Sequence, residues 1–269
     1  MLKFGISGLE LKNDYQVSKY LDLIKSRGQG FYEVIDDFEL VREINKFVED
    51  VKVRGIKKAV VLGIGGSSLG AICLKQTFGN LYDTNFSKSG IALEVLDNID
   101  PVMLIEAQKT WNLRETLFLV ITKSGGTPET LAQFLYFKSI IVEAGLDWTD
   151  HFVFVTDPKK GLLRKLAQEN PTIKTFAVPE NVGGRFSVLT AVGLLPAALM
   201  GINLEALLGG ADQMRKRFLS TDINENWSFQ LAIAQFSLYQ SGVNQTVVFP
   251  YVQKLGRLAD WYRQLLAES

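Results

Sequence analysis

Apolar and polar positions along the chain follow two periods, and the change from one to the other falls near residue 56. Up to about Arg54 the pattern is helical. Val41, Ile44, Phe47, Val48 and Val51 recur at helical spacing with charges between them, which predicts an N-terminal helical arm over residues 1–55. From Lys57 onward, short apolar runs alternate with longer helical stretches. Strands are predicted at Lys58–Ile64, Ala92–Leu96, Thr116–Thr122, Phe152–Thr156 and Ile173–Val178. Helices are predicted between them at Leu69–Phe78, Pro101–Lys109, Pro128–Ala144 and Leu162–Glu169. Asp100-Pro101 and Thr127-Pro128 each set a capping residue before proline at the first helical position.

Alternating strands and helices call for a parallel sheet covered on both faces. The expected class is α/β, with a doubly wound five-stranded sheet of flavodoxin-like order 2-1-3-4-5 in residues 56–225. The nearly unbroken apolar run from Phe186 to Ile202 contains Pro196 and falls short of a membrane span, so a buried helix is expected there. Helices around Leu204–Phe218 and Trp227–Gln240 follow, then a sixth apolar strand at Thr246–Pro250 and an amphipathic segment at Leu255–Glu268. Residues 226–269 read as the start of a second α/β domain. The final Leu266-Ala267-Glu268-Ser269 lies in mid-helix without a stop signal, an ending that reads as cut.

Charge and composition narrow the chemistry. Lys plus Arg and Asp plus Glu are both 29, which argues against a nucleic-acid or membrane-surface partner and makes any anion site local. One cysteine, Cys73, excludes an internal disulfide, and one histidine, His151, makes histidine-rich zinc chemistry a poor expectation. The start Met1-Leu2-Lys3-Phe4-Gly5 lacks the apolar segment of a signal peptide, so a cytoplasmic location is expected.

Two glycine-rich loops stand out, each between a predicted strand and a predicted helix: Gly63-Ile64-Gly65-Gly66-Ser67-Ser68 and Thr122-Lys123-Ser124-Gly125-Gly126-Thr127. Small residues, hydroxyls and a helix start together favour an anion. The first loop fits neither familiar glycine motif: Ser68 stands where the dinucleotide fingerprint needs glycine or alanine, and Ala71 where the triphosphate loop needs lysine. Alone it could be a tight turn only. In the assumed strand order both loops face one crevice, and two of them suggest a phosphate held from two sides.

These residues resemble a family. Val61-Leu62-Gly63-Ile64-Gly65-Gly66-Ser67-Ser68-Leu69-Gly70 resembles the first-strand motif of glucose-6-phosphate isomerases, and Thr122 to Thr130 resembles their phosphate loop, usually written with serine first. Gly183-Gly184-Arg185-Phe186-Ser187-Val188 is similar to a third motif of that family, and Tyr262 to Ser269 to the start of a fourth. The resemblance covers the chain from about Gly28 onward.

It implies a sugar-isomerase fold, exchange of glucose 6-phosphate with fructose 6-phosphate, no metal or organic cofactor, and a homodimer in the complete protein. Ser67, Thr122, Ser124 and Thr127, with the backbone of Gly66 and Lys123, would hold the phosphate; the Lys123 side chain itself is expected in solvent. Gln264 would contact substrate, Arg185 would stabilise the enediolate, and Glu268 would be the base moving the proton between C1 and C2. The residue types suit that work, because removing a proton beside a carbonyl needs a placed carboxylate and a fixed cation. Spacing of four sets Gln264 and Glu268 on one helix face.

The family also uses a ring-opening histidine from the partner subunit and a lysine near its C-terminus. His151 begins the fourth strand, at the amino end of the sheet, and is expected to be structural. Both groups are therefore expected on another polypeptide or on a missing part. A non-catalytic sugar-phosphate sensor of the same fold is the alternative, with Glu268 idle.

Overall fold

The computed structural model describes residues 4–9, 15–82 and 90–269. The N-terminal arm holds α1 (Val17–Ser26), two short 3-10 turns at Gly30–Tyr32 and Val34–Asp36, and α2 (Phe38–Val53). Asp37 caps α2 by accepting from the Leu40 N–H, and Val41, Ile44, Phe47, Val48 and Val51 form its buried stripe.

Five parallel strands follow: β1 (Lys58–Leu62), β2 (Ala92–Leu96), β3 (Thr116–Thr122), β4 (Phe152–Thr156) and β5 (Lys174–Ala177). Their order is β2-β1-β3-β4-β5, as expected. Between them lie α3 (Leu69–Phe78), α4 (Pro101–Lys109), α5 (Pro128–Glu143), the short α6 (Trp148–His151) and α7 (Leu162–Glu169). In α4, Asp100 accepts from the N–H groups of Val102 and Met103 as the cap its sequence predicts.

Every residue of β3 is buried, as a central strand covered on both faces must be. Leu117, Leu119 and Ile121 pack with α2, α3 and the all-buried α8 (Ala191–Leu199) on one face. Phe118 and Val120 pack on the other with Phe134, Phe137 and Ile141 of α5 and Leu163 of α7. The apolar run expected as one helix from Phe186 is thus a 3-10 segment, Gly184–Leu189, followed by a buried α8 that begins at the Thr190 cap. Among the described residues no helix is long and apolar enough to cross a membrane.

α9 (Leu204–Phe218), α10 (Trp227–Gln240) and α11 (Gly256–Ala267) complete the chain. The sixth strand expected at Thr246–Pro250 does not form: residues 243–250 carry no regular structure, and Val247 and Phe249 are 69% and 74% exposed. A strand is completed by a neighbour that pairs its N–H and C=O groups, and none stands beside this run among the described residues.

His151 ends α6 immediately before β4, at the amino end of the sheet. Its buried Nδ1 donates to the Thr116 carbonyl at 2.8 Å, which joins β4 to the start of β3. Cys73 is buried in α3, and burial pushes its thiol up, away from the reactive thiolate.

Candidate functional site

β1 and β3 are hydrogen-bonded neighbours with Leu62 opposite Val120, so the two glycine loops leave the carboxyl edge of the sheet side by side. Crossovers from β1 and β3 run to opposite sides at this point, which is where open parallel sheets bind ligands. The first loop turns through a 3-10 segment at Gly65–Ser67 into α3, and the second turns into α5.

Neither α3 nor α5 has a side-chain cap, a feature they share with α1, α7 and α11; what sets the two apart is that each follows a hydroxyl-bearing glycine loop at the carboxyl edge of the sheet. Side chains cap α2, α4, α6, α8, α9 and α10. Ser68, before α3, instead turns its hydroxyl back to the Gly65 carbonyl at 3.2 Å. Thr127, expected as the cap of α5, bonds the Thr122 hydroxyl at 2.7 Å and makes no cap hydrogen bond. The buried Thr122 hydroxyl needs a partner, and Thr127 is within reach. Ser124 completes the cluster, 3.2 Å from Thr122 and 3.4 Å from Thr127. Two helix N-termini are thus left with free N–H groups beside hydroxyls, an arrangement that attracts anions.

Lys123 departs from expectation. Its ammonium is not in solvent but donates to the carbonyls of Glu180 and Val182, both at 2.8 Å. Those carbonyls belong to the loop after β5 that carries Arg185. From the other side the same loop meets Gly66, where a Cβ would lie 2.5 Å from the Gly184 carbonyl carbon and 2.6 Å from the Arg185 nitrogen. Only glycine permits that approach.

Glu268 comes to this place from the far end of the chain. Gln264, in the last turns of α11, donates to the Glu268 carboxylate at 3.1 Å, and a Cβ on Gly65 would lie 3.0 Å from the Gln264 amide nitrogen. The Arg185 guanidinium stands 3.9 Å from Glu268 and donates through Nε to the Ser269 hydroxyl at 3.1 Å. Trp261, one turn before Gln264, donates its indole N–H to the Arg185 carbonyl at 3.2 Å. Sequence reasoning missed Trp261 and Ser269, although the position of Trp261 on the Gln264 face of the helix was available as a signal. Sequence-predicted residues therefore form two clusters, Thr122, Ser124 and Thr127 in one and Arg185, Gln264 and Glu268 in the other, and the Gly65-Gly66 turn lies against the second. Ser67 closes the first loop beside them, half-buried.

A cavity of about 360 Å³ adjoins the Arg185 loop, lined among others by Arg27, Phe31, Lys123, Asn181, Arg185 and Phe186. Phe31 stacks on Phe186 at 5.3 Å, and the Arg185 guanidinium lies 4.9 Å from the same Phe186 ring. Behind the second loop, the N–H groups of Lys159 and Lys160 and the nearby Lys160 and Lys123 charges hold the Asp157 carboxyl below its ordinary range. Among the described residues no cluster of three or more His, Cys, Asp or Glu is arranged to hold a metal ion.

Sheet order and layering define a doubly wound α/β protein, with the hydroxyl cluster as a candidate anion site at its topological switch point. Comparison makes that class specific. The chain belongs to the phosphoglucose isomerase family, whose pattern it matches over residues 34–269. It is 44% identical over 235 residues to the glucose-6-phosphate isomerase of Carboxydothermus hydrogenoformans, an alignment covering 86% of this chain and 50% of the relative. Against a glucose-6-phosphate isomerase of Thermus thermophilus the identity is 35% over 253 residues, covering 92% and 58%. A solved structure of a hypothetical protein from Thermus thermophilus superposes with a TM-score of 0.80 at 31% identity, over 94% of this chain and 59% of that one. A glucose-6-phosphate isomerase from Chlamydia trachomatis shares the fold at a TM-score of 0.72 and 21% identity, over 92% and 54%. The chain thus spans between half and three fifths of the length of these relatives.

Proposed function

We propose that this chain supplies the phosphate-binding half and the proton-transfer base of an aldose–ketose isomerase that interconverts glucose 6-phosphate and fructose 6-phosphate through an enediolate. The observation that carries the reading is the Gly65-Gly66 turn, which adjoins both the Gln264 amide and the Gly184-Arg185 backbone. The first loop thereby leaves β1 beside the β3 loop and its hydroxyls, while its turn touches the residues that bring in the carboxylate and the guanidinium.

In this reading the phosphate accepts from the free N–H groups at the starts of α3 and α5, from the Gly66 and Lys123 backbone, and from Ser67, Thr122, Ser124 and Thr127. Binding at the phosphate holds the reacting carbons in place from a distance, which is binding energy available for the transition state. Glu268 takes the proton from one carbon and returns it to the next, with Gln264 fixing one of its oxygens. Arg185 faces the charge that develops on the sugar oxygens; losing such a group commonly costs about 3 kcal/mol in activation free energy. No organic cofactor enters these steps.

Division of the chain at residues 55/56 and 225/226, a homodimeric complete protein, a cytoplasmic setting and a place in glycolysis and gluconeogenesis belong to the same proposal. It is tested by assaying conversion of glucose 6-phosphate to fructose 6-phosphate with this chain and with the chain completed to the length of its relatives. The completed protein is expected to turn over, and the chain alone to bind sugar phosphate with little turnover. Sugar-phosphate binding without turnover in the completed protein would replace the enzyme by a sensor.

A further inference from the structure

We infer that Lys123 is a positioning residue: its ammonium clamps the Arg185 loop to the phosphate loop through the main-chain carbonyls of Glu180 and Val182. This rests on the roles proposed above for the phosphate loop and for Arg185.

Segment 178–183 has no helix or strand to occupy its carbonyls. Three successive ones are nevertheless held: those of Glu180 and Val182 by Lys123 Nζ, and that of Asn181 by the Gly30 N–H at 3.0 Å. The ammonium bypasses the Glu180 carboxylate, which pairs with Lys159 at 3.2 Å. Two of the three ammonium donors therefore go to neutral acceptors on a backbone that needs them.

The consequence falls on Arg185. Its backbone is fixed by Lys123 upstream, by Gly66 against its nitrogen, and by Trp261 on its carbonyl. Removing the first of these leaves the short Gly183–Arg185 approach free to swing away from Glu268. Displacement of a charged group by about 1 Å is enough to cost on the order of 10²-fold in rate. A direct phosphate ligand would act differently, since its loss weakens ground-state binding and leaves the chemical step intact.

The test uses Lys123→Met, which keeps the apolar stem and removes the donors, and Lys123→Arg, which keeps charge and donors. In the 269-residue chain, hydrogen exchange across residues 180–187 is expected to speed up about ten-fold or more in Lys123→Met relative to β3 and β4, with Lys123→Arg recovering protection. Unchanged exchange there overturns the clamp, whether or not the protein proves to be an isomerase. In the completed protein, Lys123→Met is expected to lower kcat about ten-fold or more, with KM and inhibition by inorganic phosphate held within about three-fold. Inhibition by a sugar-acid phosphate, whose carboxylate sits where the enediolate charge develops, is expected to weaken in step with kcat. A raised KM and weaker phosphate inhibition at constant kcat would overturn the proposal in favour of a direct phosphate contact. An unaltered kcat per folded molecule, with only Tm lowered, would reduce Lys123 to a structural residue. Wild-type protein without isomerase activity defeats the isomerase reading, and the exchange result still decides the clamp.

Discussion

Strand β3 and helix α11 both carry residues of the proposed site, and they are built in opposite ways. All seven residues of β3 are buried between two apolar layers, whereas α11 has no buried residue. The helix lies on α3 at the surface, with Trp261 packed on the core from its middle and Tyr262 accepting from Gln235 at 2.8 Å. Just before α11, Gln76 donates to the Gln253 carbonyl at 2.6 Å and Thr77 to the Lys254 carbonyl at 3.2 Å, while Trp261 and Gln264 reach the Arg185 loop and the Gly65 turn. The difference assigns the two tasks to different mechanical environments. The proposed anion cradle grows from the most deeply buried strand, and the proposed base follows a surface helix whose residues are all at least partly exposed.

The largest effect that tests this contrast is chemical. Glu268→Gln, in the completed protein, is expected to lower kcat by roughly 10²- to 10⁴-fold, the usual worth of a placed base. Because the Glu268 side chain is 54% exposed, Tm should stay where it is. Near-wild-type turnover would remove Glu268 from the mechanism and leave α11 without a catalytic task.

In the sheet the outcome is reversed. Phe118 is fully buried against Phe137 and Phe152, so Phe118→Ala is expected to cost about 3–5 kcal/mol of folding free energy. Leu266→Ala on the exposed side of α11 should cost about 0.5 kcal/mol or less. Denaturant melts of the two variants measure the contrast directly, and equal costs would break it.

At the seam between the two regions, Gly66→Ala forces a methyl into the Gly184-Arg185 backbone. Overpacking of this kind costs about 1–3 kcal/mol, and here it also pushes apart the cradle and the Arg185 loop. Weaker binding of inorganic phosphate together with a lower Tm is the expected result; unchanged phosphate affinity would show that the two clusters work independently.

How much of this could be read from the chain follows the same division. The buried strands were legible, since apolar runs such as Leu117–Ile121 alternate with helical stretches, and the order assumed for them is a common one in that class. The run Thr246–Pro250 has the same local look, but a strand also needs a partner, which local pattern cannot supply. Thr127 in front of Pro128 reads as a cap because sequence cannot display the Thr122 hydroxyl that takes it away. Lys123 misled for a related reason: nothing in the residues around it announces two carbonyls nearly sixty positions later. Spacing linked Gln264 with Glu268, but Arg185 was joined to them only through motif resemblance.

The smallest effect concerns the loops at the carboxyl edge and their response to acid. Asp157 is held below its ordinary carboxylate range by the Lys159 and Lys160 N–H groups and by nearby cations, so its folded-state pKa lies below the unfolded one. A carboxylate with that sign stabilises the fold fully above the unfolded value of about 3.9, and the contribution is lost as pH falls through the lower folded value. Asp157→Asn keeps an acceptor for the two N–H groups but removes the charge. At pH 7 the variant should melt about 2 °C lower than wild type or less, and the gap should close as pH falls below about 4. Calorimetry at pH 7, 5 and 3 gives the comparison. A gap that widened toward acid would mean that the charge is unfavourable where it stands, and that the stiff edge beneath the phosphate loop owes its order to packing alone.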